Sequence, residues 1–571
     1  MQNRGLIRPY GGKLIDLVVD NDRENAIKET ALHLPEMILS DRQICDLELL
    51  ASGGFSPLAS FMTRDDYESV LDRMRLSDGT LWPLPVCLDI PEDMARSVRV
   101  GEDLCLRDQE GFLLAVIHVK DMWPVDRKHE AMKIFNTLDT RHPGVEYLLN
   151  EAGDYYIGGS LEVVRLPLHF DFRQFRRTPA EVRQTALKEG WHRVVGFQTE
   201  NPVHRLQFEM TIRAMQEARA NLLLLPVVGT TKPGDFDHYT RVRCYKKILP
   251  YYPSGTVMLN MLPLAMRMAG PREAVFHAII ARNYGCSHFI VGRHHADPCY
   301  DGQDGMFYKN NAAKELVLRY SEEIGVEIVP FEEMGYIPDE DRYVPSDQVS
   351  ESCRTLTISG SDIRERIRTG RRIPEWASFP EVIEEISRTY PGPKKQGFTI
   401  FFTGLSGSGK STLAKVLYSR FMEIGTRPVT LLDGDIVRQN LSKELNFSKE
   451  HRDLNILRIG FVASEITKNR GIAICAPIAP YAATRARVRR MIENYGGFIE
   501  VHVATPIEEC ERRDRKGMYA KARAGLIKGF TGVDDPYEAP ERPDVRIDTT
   551  GITPEEGVQE ILLVLAQKGF V

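Results

Sequence analysis

The chain has 571 residues, a net charge of −6, 42% apolar and 27% charged residues. This is the balance of an ordinary globular protein of three or four domains. It excludes a strongly basic nucleic-acid binder, so any anion-binding charge has to be local. No window approaches the ~18 apolar residues of a membrane-spanning helix, and the first residues, Met1-Gln2-Asn3-Arg4-Gly5, have no apolar signal segment. Nine cysteines without a C-x-x-C pair point to a reducing, cytoplasmic setting and away from a zinc site or a disulfide framework.

Residues 1–168 mix short strands and turns and predict a β-rich domain. Leu81–Ile90 and Phe112–Val119 read as strands, and Gly53-Gly54-Phe55-Ser56-Pro57-Leu58 as a turn. A basic helical stretch, Arg173 to Lys188, opens residues 169–330, where strands and helices alternate. Arg193–Phe197, Leu222–Val228 and His288–Gly292 are strand-like; Arg205–Ala218 and Ala274–Arg282 are helical. That alternation predicts a Rossmann-like parallel sheet with helices on both faces and ligands at the carboxyl ends of its strands. Residues 331–390 read as a small α/β subdomain, and Pro391–Gly397 as a linker. Residues 398–571 form one further α/β unit.

That last unit opens on the apolar strand Phe398–Phe402, followed by Gly404-Leu405-Ser406-Gly407-Ser408-Gly409-Lys410-Ser411-Thr412 and a helical run. The pattern is G-x-x-x-x-G-K-[ST] between a strand and a helix, the context of a P-loop. Glycines let successive N–H groups face phosphate oxygens at a helix N-terminus. Lys410 is expected on the β/γ-phosphates, and Ser411 is expected to hold Mg²⁺ brought with ATP. The strand Pro428–Leu432 ends in Asp433-Gly434-Asp435, two carboxylates suited to the metal or to a hydroxyl proton. Arg452, Asn455 and Arg458 share one helical face, and arginines there suit a doubly charged acceptor. Phe447 and Phe530 are aromatics able to sandwich a purine.

Several motifs together resemble adenylylsulfate (APS) kinase across essentially all of 397–571. They are Leu432-Asp433-Gly434-Asp435-x-Val437-Arg438, Asn446-Phe447-Ser448, Arg452-x-x-Asn455, Lys516-Gly517-x-Tyr519-x-Lys521-Ala522-Arg523 and Phe530-Thr531-Gly532. The resemblance implies transfer of the ATP γ-phosphate to the 3′-hydroxyl of adenylyl sulfate. It sets Asp433 beside the reacting hydroxyl, with Asp435 near. Arg438, Arg452 and Asn455 would hold the phosphosulfate; Phe447 and Phe530 would sandwich the adenine. Ile478 would belong to the acceptor site, and Lys521 would add charge. Where many relatives have Ile-Ser-Pro, this chain has Ile478-Ala479-Pro480. That excludes a serine-phosphate route at this position.

Residues 1–390 are similar to ATP sulfurylase (sulfate adenylyltransferase), which joins sulfate to the AMP moiety of ATP with release of pyrophosphate. The resemblance rests on Gln198-Thr199-Glu200-Asn201-Pro202-Val203-His204-Arg205-Leu206-Gln207, on Gly292-Arg293-His294-His295-Ala296-Asp297 and on the stretch from Thr231 to Arg241. The family patterns are close to Q-T-R-N-P-x-H-R-x-H and G-R-D-H-A-G. Gln198, Asn201, His204, Arg293 and His295 are retained, but Glu200 replaces arginine and Gln207 replaces the second histidine. A unit charge ~4 Å from a dianion is worth about 4 kcal/mol per opposing charge at an effective dielectric of ~20. Reversing it therefore acts against sulfate. The reading preferred from sequence is an APS kinase fused to an impaired sulfurylase-like scaffold or regulator. The alternative is a fully bifunctional enzyme. Both imply ATP and adenylyl sulfate as ligands, sulfate and pyrophosphate under the alternative, no nucleic acid or membrane partner, and homo-oligomers built through both kinds of domain.

Overall fold

The apolar runs that punctuate the chain become the strands of three five-stranded sheets. The computed structural model describes residues 5–571 except 232–234, 299–306, 331–333, 346–347, 350–352, 447 and 515–516. The side chains of Ser361 and Asp435 are also outside the description. The chain divides into two compact units: residues 1–361 with 374–386, and residues 362–373 with 387–571. Residues 331–390 are thus shared between them.

The first unit begins with β1 (Glu36–Ile38), β2 (Leu88–Ile90), β3 (Asp103–Arg107), β4 (Leu113–Pro124) and β5 (Tyr155–Val163), in the order β1-β3-β4-β5-β2. All pairs but β1–β3 are antiparallel, and Leu104, Ile117 and Leu161 line up across β3, β4 and β5 in the core. The expected strand Leu81–Ile90 shrinks to Leu88–Ile90. Pro83 and Pro85 lack the amide hydrogens a ladder needs, so Trp82, Leu84 and Val86 are buried as core loop instead. The expected Arg173–Lys188 helix likewise splits into a single turn, Arg173–Phe175, and a helix Pro179–Lys188. Thr178 and Glu181 form a capping box there and Pro179 takes the first helical position, which sets the boundary.

The second sheet holds β6 (Val194–Thr199), β7 (Asn221–Pro226), β8 (Val257–Leu259), β9 (His288–Val291) and β10 (Glu327–Pro330). All its pairs are parallel, in the order β10-β9-β6-β7-β8. The chain runs outward from β6 through β7 and β8, then returns to β9 on the other side. The carboxyl ends of β6 and β9 are therefore a topological switch point, where open parallel sheets bind ligands. The helix Arg205–Ala218 follows β6, and Gly270–Asn283 precedes β9. A hairpin of β11 (Met334–Ile337) and β12 (Arg342–Pro345) follows.

The second unit holds β13 (Phe398–Thr403), β14 (Val429–Asp433), β15 (Ile472–Ala476), β16 (Gly497–Val503) and β17 (Val545–Ile547), all parallel, in the order β14-β15-β13-β16-β17. Every residue of β13 is buried, as expected of a central strand covered on both faces. Phe398, Ile400 and Phe402 pack with Leu413, Leu417 and Phe421 of the helix Lys410–Ile424 and with Ile561 and Leu565 of Pro554–Gln567. Phe401 packs on the opposite side with Ile456 and Ile459 of Lys449–Lys468 and Val488 of Ala482–Glu493. The carboxyl ends of β13, β14 and β15 are thereby set side by side. Among the described residues no helix is long and apolar enough to cross a membrane.

Candidate active sites

The loop between β13 and its helix adopts backbone angles that side chains resist. Gly404, Gly407 and Gly409 have φ of 150°, 75° and 105°. A Cβ on Gly404 would lie 2.5 Å from the Val503 carbonyl oxygen. Lys410 is the first residue of the helix, and its ammonium curls back over the loop. It donates to the Gly404 and Leu405 carbonyls at 2.9 and 2.6 Å and to Ser408 Oγ at 3.4 Å. The loop is pinned from behind, because Thr505 Oγ1 and Thr549 Oγ1 both donate to the Ser408 carbonyl, at 3.0 and 2.9 Å.

This loop forms one wall of a cavity of about 1220 Å³. Ser406, Gly407, Gly409, Lys410, Ser411 and Thr412 line it at the P-loop; Asp433, Arg438, Arg452, Asn455, Ile478 and Phe530 line it elsewhere. Asp433 ends β14, Ile478 follows β15, Arg452 and Asn455 stand on the helix Lys449–Lys468, and Arg438 and Phe530 come from the helix Gly434–Leu441 and a later loop. Asn455 is buried, and its Oδ1 has no hydrogen-bond partner among the described residues. Arg438 donates to the Leu445 and Asn446 carbonyls at 3.1 and 3.2 Å. Phe530 packs its ring against Tyr519, centroids 5.0 Å apart.

Other expectations fall elsewhere. Lys521 is exposed on the helix Met518–Arg523 and is not among the residues lining the cavity. Arg458 shares the helix but not the cavity; it pairs with Glu444 at 2.6 Å. Gly404, Leu405 and Ser408 shape the loop from outside the lining, and Ser408 is fully buried. Phe447, Lys516 and the Asp435 side chain lie outside the described residues. Sequence reasoning missed Arg513, Thr549 and Asp535. Arg513 lines the cavity and donates to Thr549 Oγ1 at 2.7 Å and to its carbonyl at 3.0 Å. No short motif marks these residues, since their partners lie far away in the chain.

The switch point of the first unit carries the other expected set. Gln198 is buried at the end of β6, its Nε2 3.0 Å from His277 Nδ1. His277 Nδ1 lies 2.8 Å from His295 Nε2, and Glu273 Oε1 lies 3.3 Å from His277 Nε2. Burial pushes the Glu273 carboxyl up. Hydrogen bonding from His277 and from the Arg267 and Ala269 amides outweighs it and holds the group below its ordinary value. His295 is half-buried against Phe289 and His277, and desolvation, aided by His277, pushes it down to about 3. It is therefore a neutral imidazole at physiological pH.

His204 is buried at the start of the helix Arg205–Ala218, with Nδ1 2.7 Å from Ser378 Oγ. Gln207 turns its side chain back to that helix start, where Oε1 accepts from the His204 amide at 3.1 Å. Its carboxamide therefore acts as a capping group. Glu200 is half-buried; Asn201 Nδ2 donates to its Oε1 at 3.1 Å, and Arg241 Nη1 donates to its carbonyl at 3.0 Å. Arg293 is half-buried after β9, and Asp297 is buried nearby in sequence. Residues 232–234 of the Thr231–Arg241 stretch lie outside the described residues.

The chain is 48% identical over 567 residues to the sulfate adenylyltransferase of Phaeosphaeria nodorum, with 99% of each chain covered. It belongs to the family that joins ATP-sulfurylase and APS kinase domains. Residues 7–166 match a PUA-like domain, 173–389 ATP-sulfurylase and 396–548 adenylylsulphate kinase. The sulfate adenylyltransferase of Mycosarcoma maydis is 47% identical over 570 residues. A solved structure described as a hexameric APS kinase from Thiobacillus denitrificans is 41% identical, has a TM-score of 0.82, and is covered over 100% of its length by 99% of this chain. The expected ATP-sulfurylase–APS kinase fusion and the mixed α/β architecture are borne out. What the β-rich N-terminal reading lacked was its PUA-like kinship.

Proposed function

We propose that the APS kinase domain transfers the γ-phosphate of ATP to the 3′-hydroxyl of adenylyl sulfate, giving 3′-phosphoadenylyl sulfate and ADP. The observation that carries this reading is a single cavity with the P-loop on one wall and Arg438, Arg452, Asn455, Ile478 and Phe530 on the others. The P-loop amides and Lys410 face the triphosphate and neutralise charge on the phosphoryl group in flight. Arg438 and Arg452 suit the phosphosulfate, and Phe530 offers a face to the adenine. Asp433 takes the 3′-hydroxyl proton as that oxygen bonds to the γ-phosphorus and the bond from phosphorus to the β,γ-bridging oxygen breaks. Ala479 has no hydroxyl to phosphorylate, so transfer is direct at this position.

The donor set suits Mg²⁺. Ser411 lines the cavity at the P-loop, and a hydroxyl oxygen beside a triphosphate is a hard donor of the kind that ion takes. When bound, it neutralises phosphate charge. The hexameric description of the Thiobacillus protein supports homo-oligomers here too.

A second activity is favoured by the name carried by full-length relatives, sulfate adenylyltransferase. On that reading the first unit makes adenylyl sulfate from ATP and sulfate, and the second consumes it. Retention of Gln198, Asn201, His204, Arg293 and His295 supports it. Glu200 and the capping role of Gln207 support the other reading, a sulfurylase-like scaffold or regulator. Family membership gives the bifunctional reading at least equal standing. One pair of assays separates them: ATP and sulfate with pyrophosphatase, read for adenylyl sulfate, then ATP and adenylyl sulfate, read for its 3′-phosphorylated product. Product in both establishes the bifunctional enzyme. Product in the second alone establishes the kinase, and none in the second overturns the main proposal.

A further inference from the structure

Arg452 does more than face the cavity. Its Nη1 donates to Thr531 Oγ1 at 2.9 Å and to Asp535 Oδ2 at 2.7 Å, and its Nη2 donates to the Gly529 carbonyl at 2.8 Å. Thus one guanidinium on the helix Lys449–Lys468 grips both ends of the segment that presents Phe530. Asp535 Oδ2 also accepts from Tyr481 Oη at 3.0 Å. The ion pair is well shielded, with side-chain exposures of 12% and 19%.

The gripped segment is a closed turn. Asp534 accepts from the Gly529 and Phe530 amides, Gly532 N donates to the Asp535 carbonyl at 2.7 Å, and Asp535 N donates to the Phe530 carbonyl at 3.2 Å. It is a preformed piece, fastened by Arg452 to the helix that also carries Asn455. Leu526, just before it, is 77% exposed and also lines the cavity.

We propose that Asp535, seconded by Tyr481, is a positioning residue of the acceptor site. It holds the Arg452 guanidinium in one plane and thereby sets Arg452 and Phe530 at the spacing the acceptor nucleotide requires. The inference rests on the kinase reading above. It has a consequence that simple charge counting denies. Asp535 is an anion close to a site for an anionic ligand, so removing it should tighten acceptor binding if it acted by its field alone. If it positions Arg452, removing it weakens acceptor binding. Without the carboxylate, Arg452 keeps its neutral acceptors Thr531 Oγ1 and the Gly529 carbonyl but loses the charged one, so its plane is held less firmly, and charge-assisted bonds depend on its orientation.

The test uses the full chain and steady-state kinetics with ATP and adenylyl sulfate. Asp535→Asn should raise KM for adenylyl sulfate about tenfold, the size of one lost charge-assisted hydrogen bond. KM for ATP should stay within about twofold, and Asp535→Glu should recover part of the loss. Tyr481→Phe, which keeps the ring, should raise the acceptor KM about threefold and supplies the test if Asp535→Asn does not fold. All four tryptophans of the chain precede the second unit's sheet, so Leu526→Trp reports on that segment. In that background Asp535→Asn should move the midpoint of the fluorescence change with adenylyl sulfate upward by the same factor. An acceptor KM that is unchanged or lowered, or one that rises together with KM for ATP, overturns the proposal. A wild-type chain that does not phosphorylate adenylyl sulfate overturns the kinase reading instead.

Discussion

Lys410→Met tests the P-loop most directly. The side chain is 6% exposed, and its ammonium makes three hydrogen bonds within the loop. Methionine keeps an apolar stem of similar reach and removes the charge. Two effects follow, of different size. The Gly404 and Leu405 carbonyls lose a donor, and with Gly404 buried and Leu405 half-buried the stability loss should be about 1–3 kcal/mol. The transferring phosphoryl loses a cation at contact distance. At ~4 Å and an effective dielectric of ~20 that is about 4 kcal/mol, or roughly three decades in rate. Catalysis should therefore fall far more than stability. ADP release with saturating adenylyl sulfate measures the first, and thermal unfolding the second. A loss of kcat/KM below about tenfold in a folded variant would refute the assignment of Lys410 to the triphosphate.

Gly409→Ala should weaken ATP binding by at least about tenfold, read by titration with a fluorescent ATP analogue. Its φ of 105° costs any other residue about 1–3 kcal/mol, and the new Cβ would sit 3.1 Å from Thr549 Cγ2, disturbing the clamp on Ser408; wild-type affinity would contradict this. Glu200→Arg should raise adenylyl sulfate formation from ATP and sulfate by at least about tenfold, since it replaces repulsion of a dianion by attraction; no gain means that Gln207 or Asp297 limits the site as much. Glu130 lies in the first sheet's core, where burial pushes its carboxyl up to about 6, against hydrogen bonds from Tyr67 and Tyr156 that pull it down. A folded value above the ordinary 4.5 means that its contribution to stability is full below about pH 4.5 and is lost as pH rises through about 6. The loss is about 2 kcal/mol. Glu130→Gln should flatten that part of the unfolding profile of the first unit, and an unchanged slope would exclude Glu130 as its source.

Much of the protein could be read from local order alone. Strand and helix periods placed the parallel sheets because a covered strand such as β13 has to be apolar throughout. The helix Arg205–Ala218 matches its expected limits, since chain chemistry there agrees with packing. The P-loop was legible because its work is done by backbone and by consecutive residues, so spacing in sequence is spacing in space. Reading failed where the run was apolar but could not pair, as at Pro83 and Pro85. It also failed where a helix-like stretch carried a proline and a cap, as at Thr178 and Pro179.

Tertiary structure decided what the side chains reach. Lys521 and Arg458 are cations in plausible motifs, yet one is exposed and the other pairs with Glu444. Gln207 appeared as a lost histidine and is a helix cap. His277 carried no motif yet links Gln198, His295 and Glu273. Asp535 stands 83 residues from the arginine it holds. A sequence determines which groups are present and how consecutive ones are oriented. Which distant groups share a cavity, and at what distance, depends on how sheet order brings strand ends together. That is settled only when the cores close.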